Sequence, residues 1–81
     1  MKVEYSIVNR GTMIVKIDQK SIEISGEVTF EPSAFYADIN SIEKWEEPFS
    51  KEELSDELKF RIIKAILKES RKDENVRIYF D

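Results

Sequence analysis

Neither cysteine nor histidine occurs anywhere in these 81 residues. Without cysteine there is no disulfide and no thiolate metal site. Without histidine the chain loses the commonest general base, the commonest metal ligand and the usual pH switch. A Ser–His or Cys–His nucleophile pair is therefore excluded. Glycine is scarce, and neither Gly11 nor Gly26 sits in a phosphate-cradling loop of the Walker type. Positive charge is also in deficit: 13 Lys and Arg stand against 17 Asp and Glu, a net charge of −4. Such a chain repels a phosphate backbone overall, which disfavours nucleic acid as a partner and mildly favours a basic protein. Long apolar runs are missing too. None approaches the roughly 20 residues of a membrane span, and no signal-peptide pattern follows Met1. The expectation is a cytoplasmic protein that touches no membrane and carries no cofactor.

A chain this short makes one domain, 1–81, and buries only about 60–65% of its unfolded surface. Its stability has to come from the apolar core, good capping or oligomerisation.

The first half alternates at the period of strands. Val3, Tyr5 and Ile7 form one run, and Met13, Val15 and Ile17 a second, with Ile14 set for the opposite face. Asn9-Arg10-Gly11 supplies turn chemistry between them, with Gly11 free to take positive φ. Asp18-Gln19-Lys20 reads as a short hairpin connection. A third strand begins at Ile22 and Ile24, is interrupted by Gly26, and resumes at Val28 and Phe30. A glycine inside a strand pattern marks a bulge or bend. Glu31-Pro32-Ser33 breaks the pattern, and residues 34–39 suggest a fourth strand. Residues 41–48 read as an irregular connection anchored by Ile42 and Trp45.

The second half carries one helix. Ser50 with Glu53 matches a capping box, and Phe49 with Leu54 matches a hydrophobic staple. Leu54, Leu58, Ile62, Ile63, Ile66 and Leu67 recur at three- and four-residue spacings. Acids in the first turns and bases in the last suit the helix dipole. These signals predict a helix from 51 to about 72, roughly 33 Å long. Asp73-Glu74-Asn75 ends it, and Val76, Ile78 and Phe80 give a last strand. The fold class is α+β: a small antiparallel sheet of about five strands, order β-β-β-β-α-β, with one long amphipathic helix packed on one face.

Catalytic equipment is hard to find. A carboxylate pair such as Asp38 with a nearby Glu could do acid–base work, but no spacing singles out one pair among 17 acids. No EF-hand spacing is present. The expectation is no catalytic residue, no metal ligand and no enzyme.

What stands out is charge. Residues 43–57 hold Glu43, Glu46, Glu47, Glu52, Glu53, Asp56 and Glu57 against Lys44 and Lys51, a net −5 over 15 residues. The bland reading is dipole complementation plus a polar loop. The sharper one is an anionic docking surface, which would speed association and set specificity. Aromatics are the second feature. Phe35 and Tyr36 are adjacent in a strand and point to opposite faces, so one lies away from the helix-covered core. Trp45 either plugs the core edge or anchors an interface. The helical bases Lys59, Arg61, Lys64, Lys68, Arg71 and Lys72 read as a solvated face.

The run Phe35-Tyr36-Ala37-Asp38-Ile39-Asn40-Ser41-Ile42-Glu43-Lys44-Trp45-Glu46-Glu47-Pro48, then a capped amphipathic helix and a short closing strand, resembles the immunity-protein 74 family. The resemblance covers about residues 22–81. It implies a small bacterial protein encoded beside a polymorphic toxin, which it neutralises by binding and without catalysis. Immunity proteins against nuclease toxins are often acidic, because they mask a basic, phosphate-binding cleft. On that logic the partner is a basic toxin, and the contact residues are Tyr36, Asp38, Glu43, Trp45, Glu46, Glu47, Asp56 and Glu57. Two alternatives stand beside it. A four-stranded sheet followed by a helix is also the plan of single-strand-binding transcription cofactors, by analogy of architecture alone. Edge strands in so small a sheet could also pair across a two-fold axis, giving a homodimer.

Overall fold

The computed structural model describes residues 2–30, 33–72 and 76–81. The elements run β1 (Val3–Asn9), β2 (Thr12–Ile17), β3 (Lys20–Phe30), β4 (Ser33–Ala37), a 3-10 turn (Ile39–Ser41), α1 (Asp56–Ser70) and β5 (Arg77–Phe80). The order β-β-β-β-α-β and the α+β class are those the sequence predicts. The expected breaks at Glu31-Pro32 and Asp73-Glu74-Asn75 lie outside the described residues.

The sheet order is β1-β2-β3-β4-β5. The first four strands pair antiparallel as successive neighbours. β5 corrects the antiparallel expectation, because it pairs parallel to β4, with Phe35 opposite Ile78. The helix causes this. It carries the chain back along the sheet, so the next strand re-enters in the direction of the strand before it. The sheet is mixed, and mostly antiparallel.

Alternation sorts the two faces. Val3, Met13, Val15, Ile17, Ile22, Ile24, Phe35, Ala37 and Ile78 are buried and meet Ile62, Ile63 and Ile66 of the helix. Ile14 lies opposite Ser6 and Glu23 in the outward rows, as its break in pattern suggests. The helix backbone comes closest to β1 and β5, the two edges of the sheet.

β3 belongs to both halves of the sheet. Residues 20–25 pair with β2 and residues 26–30 with β4. Gly26 stands where the pairing changes. A Cβ there would lie 2.5 Å from the Tyr36 carbonyl oxygen and 2.6 Å from the Phe35 ring, so only glycine allows this approach. Gly11 behaves differently from expectation. No glycine here has positive φ. The first turn is held instead by the Asn9 side chain, whose Oδ1 accepts the Gly11 N–H at 2.9 Å. In the second turn Asp18 takes φ 57°, a conformation open to Asp at modest cost.

Two predicted boundaries move. β4 stops at Ala37, because Asp38 caps the 3-10 turn and accepts the Asn40 N–H at 2.9 Å. The helix begins at Asp56 rather than 51 and ends at Ser70. Its cap is Ser55, whose Oγ accepts the Leu58 N–H at 3.2 Å. Ser50 spends its hydroxyl on the Glu47 carboxylate instead. Phe49 donates its N–H to Glu46 and accepts from Glu52, so residues 46–52 form successive turns.

Candidate functional site

The connection between β4 and α1 is built on three anchors. Ser41 Oγ accepts the Ser25 N–H at 2.9 Å and donates to the Asp38 carbonyl at 2.7 Å. Ile42 is buried. Glu46 N–H donates to the Ser21 carbonyl at 2.9 Å. The segment is thus laid along the outer edge of the first half of β3, where β4 no longer pairs. Trp45 is the exception among the expected contact residues: at 3% exposed it belongs to the core and supports this segment from beneath. Its buried indole Nε1 has no hydrogen-bond partner among the described residues.

Lys20 ties the far end. Its Nζ stands 5.2 Å from the Trp45 ring centroid and 5.5 Å from that of Phe49, and it meets Glu52 Oε1 at 2.7 Å. A cation between two rings and a carboxylate fastens the β2–β3 turn to the connection. Beside it lies a cleft of about 440 Å³ lined by Ile17, Lys20, Trp45, Phe49 and Leu58, among others.

The acids then divide. Glu52 is paired with Lys20, Asp56 with Lys59 at 3.8 Å, and Glu57 with Arg61 at 3.1 Å. The last two pairs are exposed and add little to stability. Glu43, Glu46, Glu47 and Glu53 are exposed and form no ion pair among the described residues. The bland reading therefore accounts for Asp56 and Glu57 in the first helical turn; of the loop carboxylates Glu47 accepts the Ser50 hydroxyl, and none pairs with a cation among the described residues.

The structure does not gather the expected residues into one tight site. Glu46 sits at the β3 start beside Ser21, with Glu47 next in the chain. Asp38 adjoins a second cleft, of about 290 Å³, lined by Ile39, Asn40, Asp56, Lys59, Phe60 and Ile63. Tyr36 lies on the sheet face opposite the core, 39% exposed, as the alternation of Phe35 and Tyr36 requires.

Three aromatics outside the expected site are exposed: Phe30, which ends β3 in solvent under the Arg10 guanidinium and not on the core side, Phe60 and Tyr79. Phe60 is 60% exposed, beside Asp56 and the second cleft. Its position two residues beyond Leu58 puts it off the apolar stripe, and that offset was the available signal. Tyr79 is 46% exposed and stacks on Tyr36, with centroids 5.2 Å apart and planes at 20°. Its outward parity could be read from Ile78 and Phe80, but its neighbour could not.

Among the described residues no group of three or more Asp and Glu could hold a metal ion, and no helix is long and apolar enough to cross a membrane. No curated protein and no solved structure matches the chain. The family model described as immunity protein 74 matches residues 5–81. That match spans both hairpins, the anchored connection, the helix and the closing strand, and so the chain belongs to the immunity protein 74 family.

Proposed function

We propose that the chain binds a cognate bacterial toxin in the cytoplasm and neutralises it by covering its working surface, without catalysis. The observation that carries this, given the family, is the set of loop carboxylates that pair with no cation among the described residues. Glu43, Glu46, Glu47 and Glu53 project from a segment pinned at Ser41, Ile42 and Glu46. Fixed charge on a braced loop is suited to steering a basic partner, because little order is lost when the partner arrives.

Asp38, Asp56, Glu57 and Tyr36 extend the surface, and Phe60 adds an apolar anchor among the acids. Aromatic anchors inside a charged rim are the usual anatomy of a protein interface. The partner that fits is a basic toxin. Coexpression tests this: the toxin encoded beside the gene should arrest growth alone and be relieved by this chain. Toxicity that the chain does not relieve counts against the proposal.

A further inference from the structure

The open face of the sheet carries a row that the acidic loop does not include. Glu27 of β3 lies directly opposite Tyr36 of β4, and Tyr36 directly opposite Tyr79 of β5. Side chains opposed in this way are neighbours on one face. The two rings are stacked against each other, which leaves the outer face of each turned away from the other. Asp38 follows Tyr36 by two residues and Asp81 follows Tyr79 by two, and the Asp81 N–H donates to the Ala37 carbonyl at 2.9 Å, so the strand ends stay together. Glu27, Asp38 and Asp81 are exposed and make no ion pair among the described residues.

Cations of the chain share the face: Lys16 lies in the outward row of β2, opposite Glu4 and Ser21, and Arg77 lies in β5 beside the row. Arg77 precedes Tyr79 by two residues, and it has neither a ring contact nor an ion pair among the described residues. The chain's own guanidinium therefore does not occupy the row. Two stacked tyrosine rings with the Glu27 carboxylate opposite one of them suit one visitor best. A guanidinium is planar, stacks on aromatic faces, and donates in a fork that matches a carboxylate. An ammonium lacks the first and third of these properties.

We propose that the Glu27–Tyr36–Tyr79 row is a receptor for an arginine-bearing segment of the toxin. The arginine stacks on the tyrosine pair and directs its tip to Glu27. The inference rests on the toxin-binding function above and assigns it a contact separate from the loop of residues 43–57.

The test uses the full chain and the toxin identified by growth rescue, with binding kinetics followed on an immobilised partner. Tyr79→Ala is expected to speed dissociation about tenfold or more, while Tyr79→Phe, which keeps the ring face, stays within about threefold of the parent. Glu27→Gln is expected to weaken binding severalfold, with the loss shrinking as salt is raised. Circular dichroism and thermal melting confirm that each variant folds. A parent chain that binds while Tyr79→Ala and Glu27→Gln bind equally well overturns the receptor and leaves the toxin-binding function standing. A parent chain that binds no toxin overturns both. A parent chain that is dimeric by light scattering, with a monomeric Tyr79→Ala variant, assigns the row to a second copy and overturns the inference.

Discussion

Gly26 and Lys20 perform opposite tasks with single side chains. Gly26 contributes nothing but room, and the room is taken by the Phe35 ring and the Tyr36 carbonyl. Gly26→Ala puts a methyl where backbone cannot yield, so it is expected to cost about 1–3 kcal/mol, measured by urea denaturation. A variant as stable as the parent would show that β3 and β4 can separate there freely. Lys20 contributes reach. It spans from the β2–β3 turn to Trp45, Phe49 and Glu52. Lys20→Ala is expected to cost about 1 kcal/mol, because the pair is part-exposed and the rings retain their other packing. The sharper readout is Trp45 fluorescence, which should shift as the connection loosens. Trp45 itself is core. Trp45→Ala is expected to cost about 3–5 kcal/mol by cavity formation, and Trp45→Phe clearly less, since it also removes the unpartnered indole N–H. Equal losses from the two would contradict that assignment.

At the scale of elements, the hairpins were legible and the crossover was not. Strands β1 to β3 follow from local alternation and short turns, which fix both neighbour and register. β5 was legible as a strand, but its parallel seat beside β4 depends on where the helix delivers the chain, and no local pattern encodes that. The helix start shows a different failure. Leu54 continues the Leu58, Ile62, Ile66 row, and Ser50 with Glu53 imitates a capping box. A tertiary contact and local turns overrule both: Lys20 holds Glu52, the Glu46 and Phe49 carbonyls accept the Phe49 and Glu52 N–H groups, and the helix begins beyond them at Asp56. Ser55 lacks the glutamate three residues on that would have marked it. Ser55→Ala is expected to cost about 1 kcal/mol and Ser50→Ala only a few tenths. The reverse order, measured by thermal unfolding, would restore the earlier start.

For the whole molecule, charge was the most readable property and geometry the least. Composition identified an acidic chain, and residues 43–57 concentrated that charge. Sequence did not reveal which carboxylates were already committed: Glu52, Asp56 and Glu57 face cations brought near by the helix and by the β2–β3 turn. Nor did it pair Tyr36 with Tyr79, since that contact needs β5 in place. The family resemblance rested on residues that prove architectural, among them Ser41, Ile42 and Trp45. They brace the segment from which the exposed carboxylates project. Charge reversal of Glu46, Glu47, Asp56 and Glu57 together is expected to slow toxin association about tenfold or more at low salt and flatten its salt dependence. Unchanged association would sink the docking role of this surface.

The most direct measurement is growth of cells expressing the adjacent toxin gene, with and without this chain, followed by gel filtration of the two proteins together. The account predicts arrest by the toxin alone, rescue by the chain, and a single co-eluting complex. Arrest that persists with the chain present, or rescue without any complex, would contradict it.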